Sequence, residues 1–120
     1  MIPSLKQMII AGILFVLVDL PWLLTVGRYA LKMTERIQGS PVVMRFGPAV
    51  IVYIALAYLV YQVTTVQDAA LLGAATYAVY DFTSMSVLKK YELGVAAADT
   101  LWGGALFAIV FTLLKRFGVF

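Results

Sequence analysis

Three carboxylates stand where the surrounding sequence is apolar: Asp19, Asp81 and Asp99. The richest setting is Thr76-Tyr-Ala-Val-Tyr-Asp-Phe-Thr-Ser-Met-Ser-Val-Leu88, which places Asp81 among hydroxyls and aromatic rings. An ionisable group inside a membrane span costs on the order of 3 kcal/mol on insertion scales, so a sequence that carries three such groups gains something from them. Carboxylates held together in low dielectric cannot all ionise. Either one keeps a proton or a cation sits among them, which is the chemistry of proton relays and intramembrane cation sites. Helical spacing gathers further side chains around each acid. Tyr77, Asp81, Ser84 and Leu88 share a stripe with Tyr80 beside it; Phe15, Asp19 and Trp22 share a face; Asp99, Trp102, Gly103 and Leu106 share another. The expected proton- or cation-binding residues are Asp81, Asp19 and Asp99. Tyr53, Tyr77, Tyr80, Ser84, Trp22 and Trp102 are expected to line a pocket beside them.

The elements that must position these groups follow from composition. Of 120 residues, 63% are hydrophobic and 12% charged, against roughly 25% charged in ordinary soluble domains. A soluble fold this small would be mostly surface with little polar matter to cover it, so the bilayer is the natural solvent. Histidine, cysteine and asparagine are absent. The usual zinc and haem ligand sets, histidine-based triads, disulfides and N-glycosylation are therefore excluded. No cofactor is implied, no catalytic residue stands out, and a metal held by aspartates alone is left open. The net charge of +3 is spread over short loops and ends, which reads as a topology signal rather than a nucleic-acid footprint.

Four apolar segments, 8–27, 46–66, 69–88 and 95–114, have the length of bilayer spans. With short loops between them they predict an all-α, antiparallel four-helix membrane bundle forming one domain over 1–120. Gln67-Asp68 marks a tight turn, and Gly39-Ser40-Pro41 ends whatever precedes it. Within 28–38, Arg28, Lys32, Glu35 and Arg36 recur at helical spacing, with Ala30, Met33 and Ile37 opposite. Two readings fit: a helix lying at the membrane surface with its basic side toward headgroups, or a charged continuation of the first span. Six Lys and Arg fall in 28–45 and 89–92, against Lys6, Lys115 and Arg116 on the other side. The positive-inside rule thus puts those loops in the cytoplasm and the termini outside.

At about 1.5 Å per residue, Asp19 and Asp81 each lie about 18 Å from the face with the termini. Asp99 lies about 21 Å from it across a core about 30 Å thick. The three acids are thus expected in one layer, with Tyr53 of the second span near the same level. Asp-x-x-Trp occurs at Asp19–Trp22 and at Asp99–Trp102. Because those spans run in opposite directions, the rings are expected to extend opposite ways from the layer. Blander roles are available: Asp19 could cap a backbone group freed below Pro21, Asp99 could reach headgroups or pair with Lys89 or Lys90, and the tryptophans could be packing or interface anchors. Gly103 and Gly104 fit a close helix contact.

The run Tyr77-Ala-Val-Tyr-Asp81-Phe-Thr83-Ser84, followed by Leu88-Lys89 and then Asp99-x-x-Trp102-Gly103, resembles a small bacterial membrane-protein family catalogued as domain of unknown function 2177. That family typically reads tyrosine-aspartate-leucine-threonine-asparagine in its third helix and has an aspartate and a tryptophan in the first, as at Asp19 and Trp22. Ser84 stands where the family usually has asparagine, so a contact made there is altered. The resemblance covers nearly the whole chain. It implies a four-helix membrane protein, expected in a bacterial inner membrane, and carries no activity with it.

Three functions fit these residues. One is a proton- or cation-coupled transporter of a small solute, with Asp81 the principal titrating group and aromatic rings suited to organic cations. Four such helices enclose little space, so a homodimer or larger membrane complex is expected. Another is a non-catalytic accessory subunit whose basic loops bind anionic lipid or a partner protein. The last is a membrane enzyme acting on a lipid or isoprenoid substrate with paired carboxylates, which the missing nucleophiles disfavour.

Overall fold

A computed structural model describes every residue, Met1–Phe120. It is all-helical: α1 (Leu5–Leu23), α2 (Val26–Gln38), α3 (Phe46–Val60), α4 (Val66–Val87) and α5 (Leu93–Arg116). Two of these, α1 and α5, are long and apolar enough to cross a membrane. The apolar α3 has 15 residues, about 22 Å. α4 has the length but carries Asp68, Asp81 and a series of hydroxyls.

Local chemistry sets the boundaries. A capping box starts α1 three residues before the expected span: the Ser4 hydroxyl accepts the Gln7 N–H at 3.2 Å and Gln7 Oε1 accepts the Ser4 N–H at 2.8 Å. α1 stops at Leu23 because the Thr25 hydroxyl, donating to the Pro21 carbonyl at 2.7 Å, replaces the backbone N–H that would have continued the helix. α2 is therefore a separate helix and not a continuation of the first span. Gly39, at φ 75°, closes it.

The turn expected at Gln67-Asp68 lies earlier, at 61–65. Thr65 caps α4 by accepting the Asp68 N–H at 3.1 Å, which draws Gln67 and Asp68 into the first helical turn, where an acid is favoured. The Gln62 side chain donates to the Tyr58 carbonyl at 3.1 Å and closes α3 at Val60 rather than at 66.

α4 folds back on α5 in the closest helix pairing, α1 packs on α3, α5 and α2, and α3 also touches α5. The core lies along α5, which buries Phe107, Val110, Phe111 and Leu114 against Phe15, Ala57 and Val60. Gly73 and Gly103 let the α4 and α5 backbones meet. A Cβ on Gly103 would sit 2.4 Å from the Tyr77 ring and 2.7 Å from the Gly73 carbonyl oxygen.

The two ends of the molecule are fastened differently. At one, the Tyr61 hydroxyl donates to the Gln7 and Val119 carbonyls, Gln7 Nε2 donates to Val119 O, and the N-terminal ammonium meets Gln62. At the other, Tyr29 and Arg36 of α2 reach Glu92 in the segment between α4 and α5. The termini and the 61–65 turn thus share one end, and the basic segments share the other.

Candidate functional site

Asp19, near the end of α1, is buried, and both its oxygens are occupied. The Tyr53 hydroxyl of α3 donates to Oδ2 at 2.8 Å and the Trp102 indole N–H of α5 donates to Oδ1 at 2.8 Å. One carboxylate therefore joins three helices. In an apolar surround each donor needs this acceptor, because an orphaned polar group costs roughly 1–3 kcal/mol.

The rings of the two Asp-x-x-Trp motifs do not diverge. Trp22 and Trp102 stack with centroids 5.1 Å apart and planes 3° from parallel. The antiparallel run of α1 and α5 brings each indole across to the other helix's acid: Trp102 donates to Asp19, and Trp22 faces Asp99. An offset of three residues on antiparallel helices makes this exchange possible, since the two tryptophans then fall between the two acids' levels.

Asp81 is 1% exposed. Its Oδ1 accepts the Tyr91 hydroxyl at 2.5 Å, and its Oδ2 has no hydrogen-bond partner. The Asp99 carboxyl lies against it, with Asp19 in electrostatic range of Asp99. One helical position on from Asp99, the Thr100 hydroxyl is also buried without a partner. Tyr77, packed over Gly103, lies in range of Asp19, Asp99, Asp81 and Tyr53. The three acids, Tyr53, Tyr77, Trp22 and Trp102 are thus neighbours.

Two further expected pocket residues lie on α4. Tyr80 is 66% exposed on the outer flank of α4, though in range of Asp81 and Asp99. Ser84 is half-buried, and its carbonyl accepts the Leu88 N–H at 2.8 Å. An apolar groove of about 770 Å³ runs along the outside of α1 and α3, with Tyr53 its one residue in common with the acid cluster. No three His, Cys, Asp or Glu side chains are arranged to hold a metal ion.

Lys89 and Lys90 do not pair with Asp99. The one salt bridge is Arg36–Glu92, at 2.8 Å. It is half exposed and contributes at most about 1 kcal/mol. Tyr91 is the residue that sequence reasoning missed. It lies in the loop after α4, and the clue was its place ten residues after Asp81, on a turn short enough to fold back. Burial first, and then the Asp81 carboxylate, raise the Tyr91 phenol above its ordinary pKa of 10.0, so it remains a donor at neutral pH. The Glu92 carboxylate raises Tyr29 likewise.

A family model described as a predicted membrane protein (DUF2177) matches residues 4–114. No curated protein and no solved structure matches the chain. With nearly its whole length covered, the chain belongs to this family of predicted membrane proteins.

Proposed function

We propose, for this member of a membrane-protein family, that it is a proton- or cation-coupled transporter of a small solute in a bundle of four membrane spans, with Asp81 and Asp99 as the coupling pair. The observation that carries the reading is Asp81 Oδ2, a carboxylate oxygen in a side chain 1% exposed, with no partner and beside a second carboxyl. Two such groups in low dielectric hold a proton between them or admit a cation. Asp19 has a different part. With both oxygens taken by Tyr53 and Trp102, it orients the aromatic wall and is not free to bind. Tyr77 and the Trp22–Trp102 stack offer faces to an organic cation.

In liposomes, uptake of ethidium, an aromatic organic cation, driven by an imposed pH gradient should fall to background in Asp81→Asn and Asp99→Asn. Both variants should keep the wild-type unfolding transition. Flux unchanged in Asp81→Asn contradicts the reading.

A second reading draws on Asp19. A carboxylate that fastens three helices is what a purely structural subunit would contain. If Asp81→Leu left the protein folded and functional in cells, that reading would displace the first.

A further inference from the structure

Two stripes on α2 meet at one residue. Arg28, Lys32 and Arg36, at steps of four, form a basic stripe that is exposed throughout. Tyr29, Met33 and Arg36 form a second stripe that docks on the segment between α4 and α5. The Tyr29 hydroxyl donates to Glu92 Oε1 at 2.6 Å, the Glu92 N–H reaches Met33 Sδ at 3.3 Å, and Arg36 Nη2 meets Glu92 Oε2 at 2.8 Å. Met33 is 1% exposed beneath the loop. The next residue back in that loop is Tyr91, whose hydroxyl donates to Asp81 Oδ1.

We infer that anionic phospholipid headgroups bind the basic stripe of α2 and act as a latch release for the acid site. A phosphate drawn to Arg28 and Lys32 reaches Arg36 and competes with Glu92 for its guanidinium. Both partners are accessible to it, with side chains 55% and 38% exposed. A bidentate phosphate contact suits Arg better than this single-nitrogen contact does. Lys89 and Lys90, exposed and without salt bridges, are drawn to the same headgroups. Once Arg36 turns to phosphate, Glu92 loses its charged partner, the loop lifts from Met33, and Tyr91 moves away from Asp81. The acid is then open toward the basic end. This regulation rests on Asp81 as the coupling group, whereas the latch itself is read without any flux.

The test is amide hydrogen exchange of the full chain in nanodiscs of phosphatidylcholine alone and of phosphatidylcholine with an equal part of phosphatidylglycerol. The Glu92 amide, which donates to Met33 Sδ, reports docking directly. Its exchange should quicken roughly fivefold in the anionic discs, the factor an exposed ion pair supports. Arg36→Gln should exchange fast in both lipids, and the double change Arg28→Gln with Lys32→Gln should stay slow in both. The Gly39 amide, bonded to Glu35 O at 2.9 Å where it caps the C-terminal end of α2, should not respond. Equal exchange of the wild type in the two lipids, or a lipid response that survives in Arg36→Gln, overturns the latch. That failure would leave the ethidium flux of Asp81→Asn as a separate question.

Discussion

At the scale of single residues, the acids divide by how their oxygens are used. Asp19 accepts two hydrogen bonds from two other helices, so Asp19→Ala leaves a phenol and an indole unpaired in an apolar setting. A loss of roughly 1–3 kcal/mol is expected from unfolding in mixed detergent. Asp81→Asn should cost under about 1 kcal/mol by the same measurement, because Asn still accepts from Tyr91 and an unpartnered oxygen gives way to a donor that can face Asp99. Tyr29 has its own signature. Its hydrogen bond to Glu92 raises the phenol above 10.0, so the contact is fully present below that pH and is lost as pH rises through the raised value. Alkaline difference absorbance between the wild type and Tyr29→Phe should show that late titration, and Glu92→Gln should move it earlier. The identities of Asp19, Asp81, Asp99, Trp22 and Trp102 were legible from charge in an apolar run. Tyr53 was expected near their level, but which groups would pair was not legible. That Asp19 would be saturated and Asp81 half free depends on Tyr53 and Tyr91, which lie 34 and 10 residues away.

At the scale of elements, the α4–α5 contact sets where Asp81 and Asp99 meet. A methyl on Gly103 has no room between the Tyr77 ring and the Gly73 carbonyl. Gly103→Ala should therefore destabilise by about 1–3 kcal/mol through overpacking and displace Tyr77 from the acids. Gly12→Ala is the control, since its Cβ would meet nothing within 4 Å, and helix propensity favours it by up to about 1 kcal/mol. Thermal unfolding of the two variants separates a specific contact from a general intolerance of side chains. Hydrophobic runs located all the helices that carry site residues, with ends displaced by a few residues. The displacements have local causes: the Ser4 capping box, the Thr25 hydroxyl below Pro21, and the Thr65 cap that pulls Asp68 into α4. Side-chain capping of this kind leaves almost no trace in hydropathy. The independence of α2 was open in the sequence because both readings predict the same helical spacing. Only the break at Leu24-Thr25 separates them.

At the scale of the molecule, the hydrogen bonds put the termini and the 61–65 turn at one end and the two basic segments at the other. A four-span topology requires these ends to lie on opposite sides of the bilayer, with α3 and α4 crossing it despite a short length in one and polar residues in the other. The chain has no cysteine, so single replacements can report sidedness without background. In sealed vesicles, Thr64→Cys and Lys90→Cys should label from opposite sides with an impermeant maleimide. Labelling from the same side would remove α4 as a span.

The coupling pair is tested most directly by infrared difference spectroscopy of the protein in lipid, in H2O against D2O. A protonated carboxyl band that shifts on deuteration in the wild type, disappears in Asp81→Asn and Asp99→Asn, and persists in Tyr53→Phe is the predicted result. A band absent from the wild type, or unchanged when both Asp81 and Asp99 are replaced, would contradict a shared proton at this site.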